Sequence, residues 1–100
     1  MTTYAVRYEY SDDTETRMEH RPAHREFLTG LGEEGTLVAA GAFQDDGEPA
    51  ALLIMRGGSA DEVRELLRED PFQQQGLVTA VEVRQWEPPL GPMAEALRGD

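Results

Sequence analysis

The sequence predicts an α+β domain, a four-stranded antiparallel sheet with two helices on one face. Three observations predict it. Residues 3–10 carry apolar side chains at every second position, the period of a strand with one buried face. Two later stretches carry apolar residues at helical spacing, each behind its own start signal. Between them, two apolar runs are joined by Asp45-Asp46-Gly47, the chemistry of a tight antiparallel turn.

In the first strand Tyr4, Val6, Tyr8 and Tyr10 share a face, an aromatic and β-branched set suited to a pleated surface. Ser11 through Glu15 is polar and acidic, which reads as a loop or a loose first turn. Pro22 suits the first turn of a helix, where its missing N–H leaves nothing unpaired. From there Ala23, Phe27, Leu28 and Leu31 fall on one side. Gly32 and Gly35 end that helix, with Gly35 as its left-handed cap. Residues 36–43 and 50–55 form the second and third strands. Both are apolar on the two faces, so the middle of the sheet is expected to be covered on both sides.

Gly57-Gly58 breaks the chain, and Ser59-Ala60-Asp61-Glu62 is a capping box. Val63, Leu66 and Leu67 supply the buried stripe of the second helix. Asp70-Pro71-Phe72 opens a short turn that Gln73-Gln74-Gln75-Gly76 leaves. Residues 77–86 read as the last strand, with Val81 and Val83 on one face, and Pro88-Pro89 stops it. Residues 1–90 are thus expected to form the domain. The tail 91–100 either adds a helical turn through Met93, Ala96 and Leu97 or stays loose. The order β-α-β-β-α-β is the split βαβ, ferredoxin-like arrangement. Its two helices can cover one sheet face only, so a second copy of the chain is expected against the other, sheet on sheet.

Composition limits the chemistry. The chain has no Cys, Lys or Asn and only two serines, Ser11 and Ser59. Thiolate nucleophiles, Schiff-base lysines, disulfides and zinc–thiolate sites are excluded, leaving His, Asp/Glu, Tyr and Arg. The formal net charge of −11 repels phosphate backbones, and the nine arginines form no evident patch, so no nucleic-acid partner is expected. The acidity reads as a solubility feature. No apolar run has membrane-spanning length, and no signal-peptide pattern opens the chain. The cytoplasm is the expected compartment.

Against that background, Arg21-Pro22-Ala23-His24 and Asp70-Pro71-Phe72 stand out. An unperturbed imidazole titrates near neutrality, where both forms are available, so the functional reading of His24 is a general acid or base; otherwise it is a histidine packed at the margin of the core. Asp70, directly before a proline, suits a helix N-cap. It can equally orient the imidazole of His24 and stabilise its protonated form, since a carboxylate has two oxygens. Arg21 either holds an anionic substrate group or makes a surface ion pair. Phe72 either lines a cleft for a planar substrate or plugs the core. His20 and His24 are four apart, but a helix starting at Pro22 would leave His20 outside it, so no metal is expected. Gly57-Gly58 is too slight for a phosphate loop.

The ordered set Arg21-Pro22-x-His24, Leu28, Glu34-Gly35-x-Leu37, Ala40-Gly41, Asp70-Pro71-Phe72 and Gly76-Leu77 resembles the YciI-like (YCII-related) family of small bacterial proteins. That family lies within the dimeric α/β-barrel superfamily. The resemblance implies the same fold, a dimer with sheets face to face, and His24 and Asp70 as a catalytic dyad at the edge of a cleft. The best-understood relatives look like lyases acting on chlorinated hydroxyquinones, and the wider superfamily includes muconolactone isomerases and small monooxygenases. Two departures are visible: the Asp45-Asp46-Gly47 connection is short, and the tail after Trp86 runs past the family's usual end. The expectation is therefore a cofactor-independent lyase or isomerase that moves a proton on a small organic compound. The alternative is a non-catalytic dimeric module that binds a small ligand or docks on a partner protein.

Overall fold

The computed structural model describes residues 1–99. Four strands, β1 (Thr2–Tyr10), β2 (Leu37–Ala42), β3 (Ala50–Gly57) and β4 (Val78–Gln85), alternate with α1 (Thr14–Glu33), α2 (Ala60–Leu67), α3 (Pro71–Gln74) and α4 (Ala94–Arg98). The sheet is antiparallel throughout in the order β2-β3-β1-β4. This is the ferredoxin-like fold.

Alternation in β1 places Tyr4, Val6 and Tyr8 on the helix-covered face. There they pack with Leu53 and Met55 of β3, Val83 of β4, Leu28 and Leu31 of α1, and Val63 and Leu67 of α2. The start signal of α2 works as its residues require: the Ser59 hydroxyl accepts the Glu62 N–H at 3.1 Å. Gly35, at φ 83°, takes the left-handed position just past α1.

The first helix differs from expectation. It begins at Thr14, eight residues before Pro22, and its N-cap is Asp13, whose carboxylate accepts the Thr16 N–H at 3.1 Å. Arg17 fastens this first turn by donating to the Ser11 carbonyl at 2.9 Å. Pro22 sits inside the helix, where it removes one backbone hydrogen bond to the residue four positions earlier. Its ring is exposed, so the freed carbonyl of Met18 lies on a side that solvent can reach.

The second strand also differs. Apolar on both faces in sequence, it is an edge strand with its last four residues exposed. The central pair is β3 and β1, because the crossover through α1 carries the chain past the middle of the sheet. The outer face pairs Thr3 with Arg56, Ala5 with Ile54 and Arg7 with Leu52. The tail folds onto one end of that face. Thr3 Oγ1 donates to the Leu97 carbonyl at 2.7 Å, and the Arg56 guanidinium reaches the Ala96 carbonyl. Of the tail read as residues 91–100, Asp100 lies outside the described residues. No helix among the described residues is long and apolar enough to cross a membrane.

Candidate active site

Three elements converge at the site: α1, β1 and α3 with the turn before it. The turn before α3 presents Asp70, which is completely buried. Its proline neighbour fixes the geometry: Asp70 is the N-cap, Pro71 the first helical residue, and Asp70 Oδ1 accepts the Phe72 N–H at 2.9 Å. The inner face of β1 brings Tyr8, whose hydroxyl donates to Asp70 Oδ2 at 2.9 Å. The middle of α1 brings His24, whose Nδ1 lies 2.8 and 2.9 Å from the two carboxylate oxygens. Gln73 closes the group by donating to the Tyr8 oxygen at 3.3 Å.

This network assigns the imidazole tautomer. Asp70 already accepts a backbone N–H and a phenolic O–H, so it meets Nδ1 as an acceptor and the ring proton sits on Nδ1. The lone pair of the neutral ring is then on Nε2. Among the described residues Nε2 has no hydrogen-bond partner, and it is not one of the sealed polar atoms. Phe72 holds the ring in plane, stacked at 3.8 Å between centroids and 5° between planes. Tyr10 meets the edge of Phe72 at 5.6 Å, and the Arg17 guanidinium lies 5.0 Å over the Tyr10 ring.

Burial, with the nearby Asp70 charge added, pushes the Tyr8 hydroxyl far above the usual phenol range. The same two causes, in the same order, push Tyr10 up to about 12. Tyr8 is therefore held as a neutral donor to Asp70.

A cleft of about 850 Å³ opens between α1 and the exposed strand β2. His24, Arg21 and Phe72 line it; Asp70 does not, and stands behind the imidazole. Asp70 is thus the N-cap of α3 and a hydrogen-bond partner of His24 at once. Phe72 is buried and also lines the cleft. Arg21 makes no ion pair among the described residues, against the surface-pair alternative. Contrary to the expectation that His20 precedes the helix, α1 spans both His20 and His24. Among the described residues no group of three or more His, Asp or Glu could hold a metal ion.

Sequence reasoning missed Tyr8, Tyr10, Arg17 and Gln73. One signal pointed to Tyr8: a tyrosine on the buried face of a central strand must find a partner for its hydroxyl. The others depend on packing between elements distant in sequence.

The YCII-related domain model matches residues 1–87. The "derivative of benzaldehyde biosynthesis cluster protein C" of Emericella nidulans is 37% identical over 78 residues, 69% of this chain and 80% of the relative. Among solved structures, the 5-chloro-2-hydroxyhydroquinone dehydrochlorinase of Burkholderia phenoliruptrix, in complex with 2,5-dihydroxybenzoquinone, superposes with a TM-score of 0.72 at 24% identity. That match covers 84% of this chain and 92% of the other. A cofactor-independent oxygenase from Streptomyces nogalater gives 0.52 at 12% identity over 91% and 95%. At such identities the two structures speak for the fold. Together with the ordered motifs around His24 and Asp70, the match over residues 1–87 makes this chain a member of the YCII-related family.

Proposed function

We propose that the protein is a cofactor-independent enzyme of lyase or isomerase type, in which His24 moves a proton on a small carbonyl- or phenol-containing compound bound in the cleft. One observation carries this reading: Nδ1 of His24 is held by both oxygens of buried Asp70 while the ring lines the cleft. Nε2 is then the basic atom at the cleft wall. As it takes a proton, the imidazolium gains the neighbouring carboxylate, which stabilises the charge and keeps the ring oriented. Tyr8 and the Phe72 N–H act as positioning groups, because they hold Asp70 and do not reach the cleft. The names of the relatives, a dehydrochlorinase and a protein of benzaldehyde biosynthesis, support an oxygenated aromatic as the compound. The homodimer expected from the sheet faces completes the reading.

The test is a panel of hydroxylated and chlorinated quinols and aromatic carbonyl compounds, followed by NMR for solvent-deuterium incorporation or leaving-group loss. Turnover by wild type is expected to fall about 10²–10⁴-fold in His24→Gln and by a similar factor in Asp70→Asn. Binding without turnover in wild type, or turnover untouched in both variants, would overturn the reading in favour of a non-catalytic binding module.

A further inference from the structure

Charge is spread unevenly around the cleft. The chain has twenty carboxylates against nine arginines. Yet among the described residues the cleft wall holds three arginines, Arg17, Arg21 and Arg25, and one carboxylate, Glu33. The arginines recur every fourth residue of α1, so they form one row, with neighbours about 5–6 Å apart at Cβ. His24 lies beside that row.

Arg17 is committed to the Ser11 carbonyl and the Tyr10 ring. Arg21 and Arg25 are exposed, and neither makes a hydrogen bond or an ion pair among the described residues. Elsewhere on this acidic surface arginines do find carboxylates: Arg7 with Glu9, Arg64 with Asp61, Arg68 with Glu65. Like charges four apart on a helix repel and slightly destabilise it. Two unpaired cations kept one turn apart, facing a cleft, therefore have no structural role that offsets their repulsion. An anion between them would supply it, and the guanidinium fork suits a carboxylate by paired hydrogen bonds.

The same wall is apolar around them. Met18 and Phe43, each 48% exposed, line the cleft together with Tyr10. Large side chains left this open beside paired arginines describe a site for an amphipathic anion, one polar head and one flat apolar body.

We infer that the cleft takes a small aromatic carboxylate, its carboxylate held by Arg21 and Arg25 and its ring lying on the apolar wall beside His24. The inference rests on the cleft being the working site and adds what the substrate must carry. The test is an amide-NMR titration with benzoate and with its neutral isostere benzamide. It would use wild type, the double variant Arg21→Gln/Arg25→Gln, His24→Gln, and Arg68→Gln as a control for bulk charge. Benzoate is expected to shift cleft amides such as Leu28 and Gly41 in a saturable way, with at least about tenfold preference over benzamide. The double variant should erase the preference; Arg68→Gln and His24→Gln should keep it. Equal binding of the two probes, a preference surviving in the double variant, or no saturable binding of either would overturn the inference. None of those results touches the His24–Asp70 reading, which is judged by turnover.

Discussion

Asp70 is the residue on which the site turns. A fully buried carboxyl is tolerated only where its oxygens are satisfied, and here the Phe72 N–H, the Tyr8 hydroxyl and His24 Nδ1 satisfy them. Tyr8→Phe removes one of the three while keeping the ring that packs the core. Denaturant unfolding followed at Trp86 is expected to report a loss of about 1–3 kcal/mol; an unchanged midpoint would mean the hydroxyl contributes nothing. The phenols also set a pH limit. Both Tyr8 and Tyr10 are raised above the unfolded value near 10. Above that pH the unfolded chain has lost protons that the folded chain still binds, so the slope of stability against pH is negative. Their contribution is present in full below about pH 10 and is lost as pH rises toward about 12, where Tyr10 ionises in the fold. Ultraviolet titration should therefore show these two tyrosines ionising together with unfolding. Smooth ionisation of all three tyrosines near pH 10, with the fold intact, would contradict it.

For the elements, local chemistry and the ferredoxin-like arrangement are legible, and the exposure of the second strand is not. Ser59 before Glu62, Gly35 after α1 and Asp70 before Pro71 each do what their residue type dictates, because a cap is a contact within a few residues. Pro22 misled, since proline most often marks a first turn and the true cap, Asp13, sits in an acidic stretch that reads as loop. The exposed position of β2 was illegible because alternation reports faces, never neighbours. His24 and Asp70 were each legible as candidates, but Tyr8, His24 and Asp70 meet only once α1 and α3 pack beside β1. Pro22→Ala tests the corrected helix. At an interior position it restores a hydrogen bond to Met18 and is expected to stabilise the protein by about 1–2 kcal/mol, the helix gain less the lost rigidity of the unfolded chain. A proline in a first turn would give no gain, so an unchanged or lowered midpoint in urea would contradict the interior placement.

For the whole molecule the open question is the outer face of the sheet. The helices cover the other face, and α4 covers only the end marked by Thr3 and Arg56. What remains is centred on Leu52, 40% exposed opposite Arg7, with Ala39 and Gly41 of the edge strand beside it and Trp86 38% exposed toward the tail. A central strand that leaves a leucine open near its start is a poor surface for a lone monomer. Two copies related by a two-fold axis would bring this patch onto itself, with Arg7 of each near Glu82, its neighbour on β4. A dimer is therefore expected in sedimentation analysis. Leu52→Glu should convert it to monomer, because it buries a charge at the centre of the contact, where the neighbouring Arg7 is already paired with Glu9. Leu90→Ser, which changes an exposed residue of the connecting tail, should leave the dimer intact. The cleft lies between α1 and β2, on the opposite side of the sheet. Monomeric Leu52→Glu should therefore keep the benzoate preference of the arginine pair, and its loss there would mean that the partner subunit completes the site.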